Sequence, residues 1–211
     1  MYNALPSKFT VKKNWAKQLV TAAKRAGAKY VNITTRHHDG FSLYDTRGLS
    51  DFDAPHSACG RDLIAELVDE CHKADILPFF YHTLIDWHEQ TYKTDFPAYL
   101  DYLNKSIEIL CTHYGKVGGF WFDGFWDKPD CDYWQFDRLY VMIRKYQPTA
   151  MIINNTGLNA LGQVSHKEID SVTFERGKPC FVDNSDRPRA GEMCEGMNDH
   201  CCLLYTSPSP R

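Results

Sequence analysis

Gly118-Gly-Phe-Trp-Phe-Asp-Gly-Phe-Trp126 is the stretch on which the fold turns. Gly118–Phe122 is apolar at successive rather than alternate positions, so a strand here has no wet face and must be covered on both sides. Asp123 ends that run with a carboxylate, and Gly124 lets the chain turn away. Upstream, Ile76–Thr83 (ILPFFYHT) has the same continuous character, and so does Ala150–Asn155 downstream. Ala28–Thr35 (AKYVNITT) and a segment at about Ile169–Phe174 complete five β runs.

Helical segments alternate with these runs. Lys12–Arg25 places Trp15, Leu19, Ala22 and Ala23 at helical spacing, and Gly27 stops it. Asp62–Ala74, Pro97–Tyr114 and Asp132–Tyr146 read as three more, the last closed by Pro148. A further helix is predicted at Ala190–Asn198. Buried strands alternating with helices are the mark of a parallel α/β sheet. A doubly wound sheet would carry a Gly-rich phosphate loop after its first strand, and none is present. The expected architecture is therefore an incomplete, TIM-like (β/α)8 barrel.

The 211 residues suffice for one domain of ordinary size, and no linker or repeat divides them. Lys and Arg number 24 against 27 Asp and Glu, a net charge of −3, which argues against nucleic acid as a partner. No apolar run approaches the roughly 18 residues of a membrane-spanning helix. The chain opens without a charged-then-apolar leader. Of eight cysteines, Cys59, Cys71, Cys111, Cys131, Cys180 and Cys194 are scattered with no CxxC pair and no zinc-finger spacing, so free thiols are expected.

The last ten residues, Cys202-Leu-Leu-Tyr-Thr-Ser-Pro-Ser-Pro-Arg211, resemble the conceptual translation of a transposase adaptor used in DNA library preparation. Residues 202–211 are expected to be a non-native tail, with Cys201 encoded across the junction. Residues 1–201 are then a partial catalytic domain that lacks its first strand and its last ones.

In such barrels, reacting groups collect at the C-terminal ends of the strands. Those ends carry His37-His38-Asp39-Gly40, then Tyr81-His82 with Asp86-Trp87-His88, then Asp123, Asn154-Asn155 and Glu175-Arg176. Asp123 and Glu175 each terminate an apolar run, and two carboxylates facing each other across a barrel mouth are what glycoside hydrolysis requires. His37 and His38 with Asp39 could instead bind a metal. Adjacent residues on an extended segment point to opposite sides, however, so imidazoles donating to sugar hydroxyls fit at least as well.

Ala26–Phe41 (AGAKYVNITTRHHDGF), Phe79–His88 (FFYHTLIDWH), Gly118–Trp126 (GGFWFDGFW) and Glu168–Glu175 (EIDSVTFE) occur in this order. They resemble successive motifs of the α-L-fucosidases of glycoside hydrolase family 29. The resemblance spans nearly all of residues 8–201. It implies a (β/α)8-like domain, a retaining mechanism without cofactor or metal, and a fucosylated oligosaccharide or glycoconjugate as substrate. Asp123 matches the catalytic nucleophile, and Glu175 matches the acid/base by its place after the following strands. His37, His38, Tyr81 and Trp121 match positions lining the fucose pocket. Two departures stand out. A His-Trp-Gly motif that normally precedes this region is absent, and Asn154-Asn155-Thr156-Gly157 stands where an Asn-Asp-Arg-Trp-like block is usual. A non-catalytic carbohydrate-binding protein on the same scaffold, or an inactive fragment, is the alternative.

Overall fold

The computed structural model describes residue 4 and residues 6–196. Helix α1 (Trp15–Arg25) leads into β1 (Tyr30–Arg36). Helix α2 (Leu63–Ala74) follows a long loop, with Asp62 capping it by accepting from the Ala65 N–H, and Asp75 ending it in the left-handed region. Next come β2 (Leu77–Thr83), the single turn α3 (Thr91–Thr94) and α4 (Phe96–His113), which Asp95 caps with Pro97 in its first turn. Strand β3 spans Gly119–Asp123. The helix expected over Asp132–Tyr146 is broken into α5 (Cys131–Trp134) and α6 (Phe136–Tyr146), because Gln135 adopts a left-handed conformation with φ 52°. Strands β4 (Met151–Asn154) and β5 (Ser171–Glu175) follow, joined by a loop.

The helix predicted at Ala190–Asn198 is not there. Ala190–Cys194 is a strand, β6, which pairs in parallel with β5 from Ser171↔Ala190 to Glu175↔Cys194. The open backbone edge of β5 supplies ladder hydrogen bonds that outweigh the weak local helix preference of Glu192-Met193-Cys194. Residues 197 and 198 of that segment, and the 202–211 tail with Cys201, lie outside the described residues.

All six strands are parallel and stand in sequence order, β1 to β6. The sheet is strongly curled. Five strand spacings of about 4.8 Å would put β1 about 24 Å from β6 in a flat sheet. Yet Glu192 on β6 reaches across to accept from the Trp121 indole on β3 and comes close enough to Tyr30 on β1 for the two side chains to interact. This half-barrel bears out the α/β expectation.

Alternate strand residues build two cores. Phe80, Phe120, Phe122, Ile152, Val172 and Phe174 face outward and are sealed by Leu103, Ile107 and Leu110 of α4 and by Leu139, Tyr140 and Ile143 of α6. Burying each such phenylalanine stabilises the fold by roughly 1.5–3 kcal/mol. Phe79, Trp121 and Ile153 face inward, with Tyr81, Met151 and Cys194 packed against them. A Cβ on Gly119 would come within 2.3 Å of the Phe79 ring, so only glycine leaves that ring its place on the inner face. The parallel register aligns Thr83 with Asp123 and sets His82 beside Phe122, bringing the strand ends to one rim. Among the described residues, Cys59, Cys71, Cys111, Cys131, Cys180 and Cys194 are free thiols. No helix there is long and apolar enough to cross a membrane.

Candidate active site

A cavity of about 540 Å³ opens at that rim, lined among others by His37, His38, Asp123, Trp126, Leu158 and Glu175. Asp123 projects from the last position of β3, half-buried. Its Oδ2 accepts from the Tyr81 hydroxyl at 2.7 Å. Its Oδ1 accepts from the Gly124 N–H at 2.9 Å and from Asn155 Nδ2 at 3.2 Å. The same Nδ2 donates to Glu175 Oε2 at 2.7 Å. Those two contacts, 3.2 and 2.7 Å laid end to end, cap the Oδ1 to Oε2 distance at 5.9 Å. Acceptors set on the two hydrogens of one planar amide would stand about 5 Å apart. The amide is oriented, since Asn155 Oδ1 accepts from the Gly157 N–H at 3.1 Å.

The two histidines do not point to opposite sides. Strand β1 ends at Arg36, and the next residues close a turn in which the Gly40 N–H donates to His37 O at 3.0 Å. The rings lie 4.3 Å apart. Thr83 Oγ1 donates to Ile85 O at 2.7 Å and lies 2.6 Å from His38 Nδ1, which holds the ring in place. His38 Nε2 stands 3.6 Å from Asp123 Oδ2. Burial and the neighbouring His37 push the His38 pKa down, against the opposing pull of Asp123. A neutral His38 can take a hydrogen bond from a sugar hydroxyl. Ligand atoms of His37, His38 and Asp123 all lie within 4.8 Å of one another, so the turn also creates a set able to hold a divalent cation.

Tyr81 and Trp121 are not among the residues lining the cavity; they stand behind it as a stack of rings. Tyr81 lies 5.4 Å from His37 at 6° and 5.3 Å from Trp121 at 20°. The Trp121 indole N–H donates to Glu192 Oε2 at 2.8 Å. Burial and the adjacent Asp123 hold the Tyr81 hydroxyl far above its ordinary pKa, so it stays a donor. Burial raises the Glu192 pKa as well.

Asp86 organises the loop after β2. Its Oδ1 accepts from the His88 and Glu89 N–H groups at 2.9 and 2.8 Å, and Arg36 Nε lies 3.7 Å from its Oδ2. The Trp87 N–H donates to His38 O at 2.8 Å, tying this loop to the histidine turn. Trp87 and Trp126, 58% and 48% exposed, flank His38 with ring centroids 5.5 and 5.9 Å away.

Of the residues picked from the sequence, His37, His38, Asp123 and Glu175 therefore meet at one cavity, with Tyr81 bonded to Asp123. Asn155, Trp126 and Glu192 were missed as site residues. Asn155 directly follows β4 and closes the apolar run Ala150–Asn155, the kind of position that selected Asp123, and Trp126 lies within the quoted Gly118–Trp126 block. Glu192 left no usable signal, because its segment was read as helix.

A family profile described as Alpha-L-fucosidase matches residues 1–202. Alpha-L-fucosidase 1 of Arabidopsis thaliana is 33% identical over 159 residues, which cover 73% of this chain and 31% of that protein. The structure of Alpha-L-fucosidase isoenzyme 1 from Paenibacillus thiaminolyticus superposes with a TM-score of 0.76 at 31% identity, covering 88% of this chain and 49% of that one. Alpha-L-fucosidase AlfC from Lactobacillus casei, in complex with α-L-fucose product, shares the fold with a TM-score of 0.70 at 23% identity, over 85% of this chain and 60% of that one. The chain spans less than half the length of the curated relatives it matches, 39% and 31% for two of them.

Proposed function

The chain belongs to the α-L-fucosidase family, and on that premise we propose that it is a segment, residues 1–201, of a retaining glycosidase that releases terminal α-L-fucose. The observation that carries the reading is the Asn155 amide touching both Asp123 and Glu175. Retaining glycosidases set their two carboxyl groups about 5–5.5 Å apart, whereas inverting ones need about 6.5–9.5 Å to admit a water.

In the first step Asp123 attacks the anomeric carbon while the bond to the leaving oxygen breaks. Glu175, protonated, gives its proton to that oxygen. In the second step Glu175 takes a proton from water, the water oxygen bonds the anomeric carbon, and the Asp123 ester bond breaks. His37 and His38 hold ring hydroxyls. Tyr81 and Trp121 back the pocket. No metal or cofactor takes part in these steps, and the substrate is a fucosylated oligosaccharide or glycoconjugate.

The test uses the complete open reading frame, because β1 and β6 present open sheet edges when expressed as this segment alone. An aryl α-L-fucoside should be hydrolysed. Asp123→Gly should abolish turnover, and azide should restore it with a β-fucosyl azide as product. A folded, complete protein that binds fucosides without turnover would overturn the reading in favour of a carbohydrate-binding role.

A further inference from the structure

We propose that Asn155 is a positioning residue that holds Asp123 and Glu175 as one pair and keeps a donor on whichever of them carries the negative charge. This rests on the reading of those two as the reacting carboxylates. Asn155 is 2% exposed and comes from the end of β4, where its own N–H donates to Phe122 O at 2.8 Å. Its side chain cannot turn over without losing the Gly157 N–H from Oδ1. Both Nδ2 hydrogens are committed, one to each carboxylate.

The chemistry explains why an amide suits this place. Double displacement keeps a single negative charge in the site and moves it. Asp123 bears the charge before attack, with the proton on Glu175; once Asp123 is esterified, Glu175 bears it. A neutral donor touching both carboxylates serves each stage without moving, which is electrostatic preorganisation. A lysine or arginine there would hold Glu175 ionised and remove the acid. A third carboxylate would repel both. Occupying Oε2 also has a directional result: the acid proton of Glu175 is left to Oε1, free for the leaving oxygen.

Other ionisable groups face the pair as well. They are His37, His38 and Asp39 from the turn after β1, Tyr81 from β2 and Asp127 from the turn after β3. None of them is altered in the test. Asn155→Ala removes the donor. Asn155→Asp removes it while keeping the acceptor for Gly157, which guards against a fold defect. In the complete protein, kcat/KM for an aryl fucoside should fall about 10²-fold in Asn155→Ala. The fall should lie in kcat, with KM changed less than about threefold, because the amide touches the two carboxylates rather than the sugar, and it should be deeper in Asn155→Asp, whose carboxylate repels both. A fall carried by KM with kcat unchanged would mark Asn155 as merely structural and overturn the proposal.

One measurement is independent of turnover. Each Asn155 side-chain amide proton should shift when its own partner is neutralised, one in Asp123→Asn and the other in Glu175→Gln. Shifts without any wild-type turnover would sink the fucosidase reading alone, whereas no response of those amide protons would sink the Asn155 proposal alone.

Discussion

Replacing Tyr81 by Phe removes one hydroxyl and keeps the ring stack between His37 and Trp121. The lost contact is a 2.7 Å hydrogen bond to Asp123 Oδ2, and a bond to a charged acceptor is worth about 1.5–3 kcal/mol. Its effect on rate depends on how much of it changes between ground and transition states. If about half the charge on Asp123 is neutralised at each transition state, about 1 kcal/mol is at stake, or about fivefold. The sign differs between the two steps. During attack the carboxylate loses charge, so the hydroxyl favours the ground state and its removal does not slow this step electrostatically. During departure the carboxylate regains charge, so the hydroxyl favours the transition state and its removal slows hydrolysis of the intermediate about fivefold. Tyr81→Phe should therefore accumulate fucosyl-enzyme. Rapid-quench measurement should find a burst of aryl leaving group approaching one per enzyme, followed by a reduced steady rate. Equal slowing of both steps with no burst would refute this account of the hydroxyl.

Gly124 has φ 99°, and a Cβ there would fall 2.6 Å from Ile85 Cγ1. Gly124→Ala should cost at least about 2 kcal/mol in urea unfolding and disturb the N–H that Asp123 accepts. Arg36 is fully buried beside Asp86, so Arg36→Met should destabilise by about 3–5 kcal/mol. The double variant with Asp86→Asn should recover part of that loss, and additive effects in a double-mutant cycle would show that the pair is not coupled. Zinc added to the complete enzyme should inhibit competitively with substrate through His37, His38 and Asp123, and EDTA should reverse it. Inhibition that survives His37→Ala unchanged would locate the ion elsewhere.

The strands were legible because burial on both faces leaves a continuous apolar run, which no exposed helix or loop shows. Asp123 and Glu175 were legible because a carboxylate at the end of such a run is out of place unless it faces a cavity. Ala190–Cys194 was misread because short polar strands carry no period of their own; only the waiting edge of β5 makes this one. The histidine pair was misjudged because the break from extended backbone at His37 depends on where β1 stops pairing with β2.

By itself the sequence determined the parallel α/β class, the strand order in time along the chain, and which side chains end the strands. Those follow from local burial patterns and from the direction in which a parallel strand must run. Only the tertiary structure decided which of those ends meet. The bridging of Asp123 and Glu175 by Asn155, the Tyr81 bond to Asp123 and the Glu192 bond beneath Trp121 join residues 20 to 71 positions apart. Such contacts arise from sheet curvature, set by how all the strands twist and pack together, and no single segment encodes it.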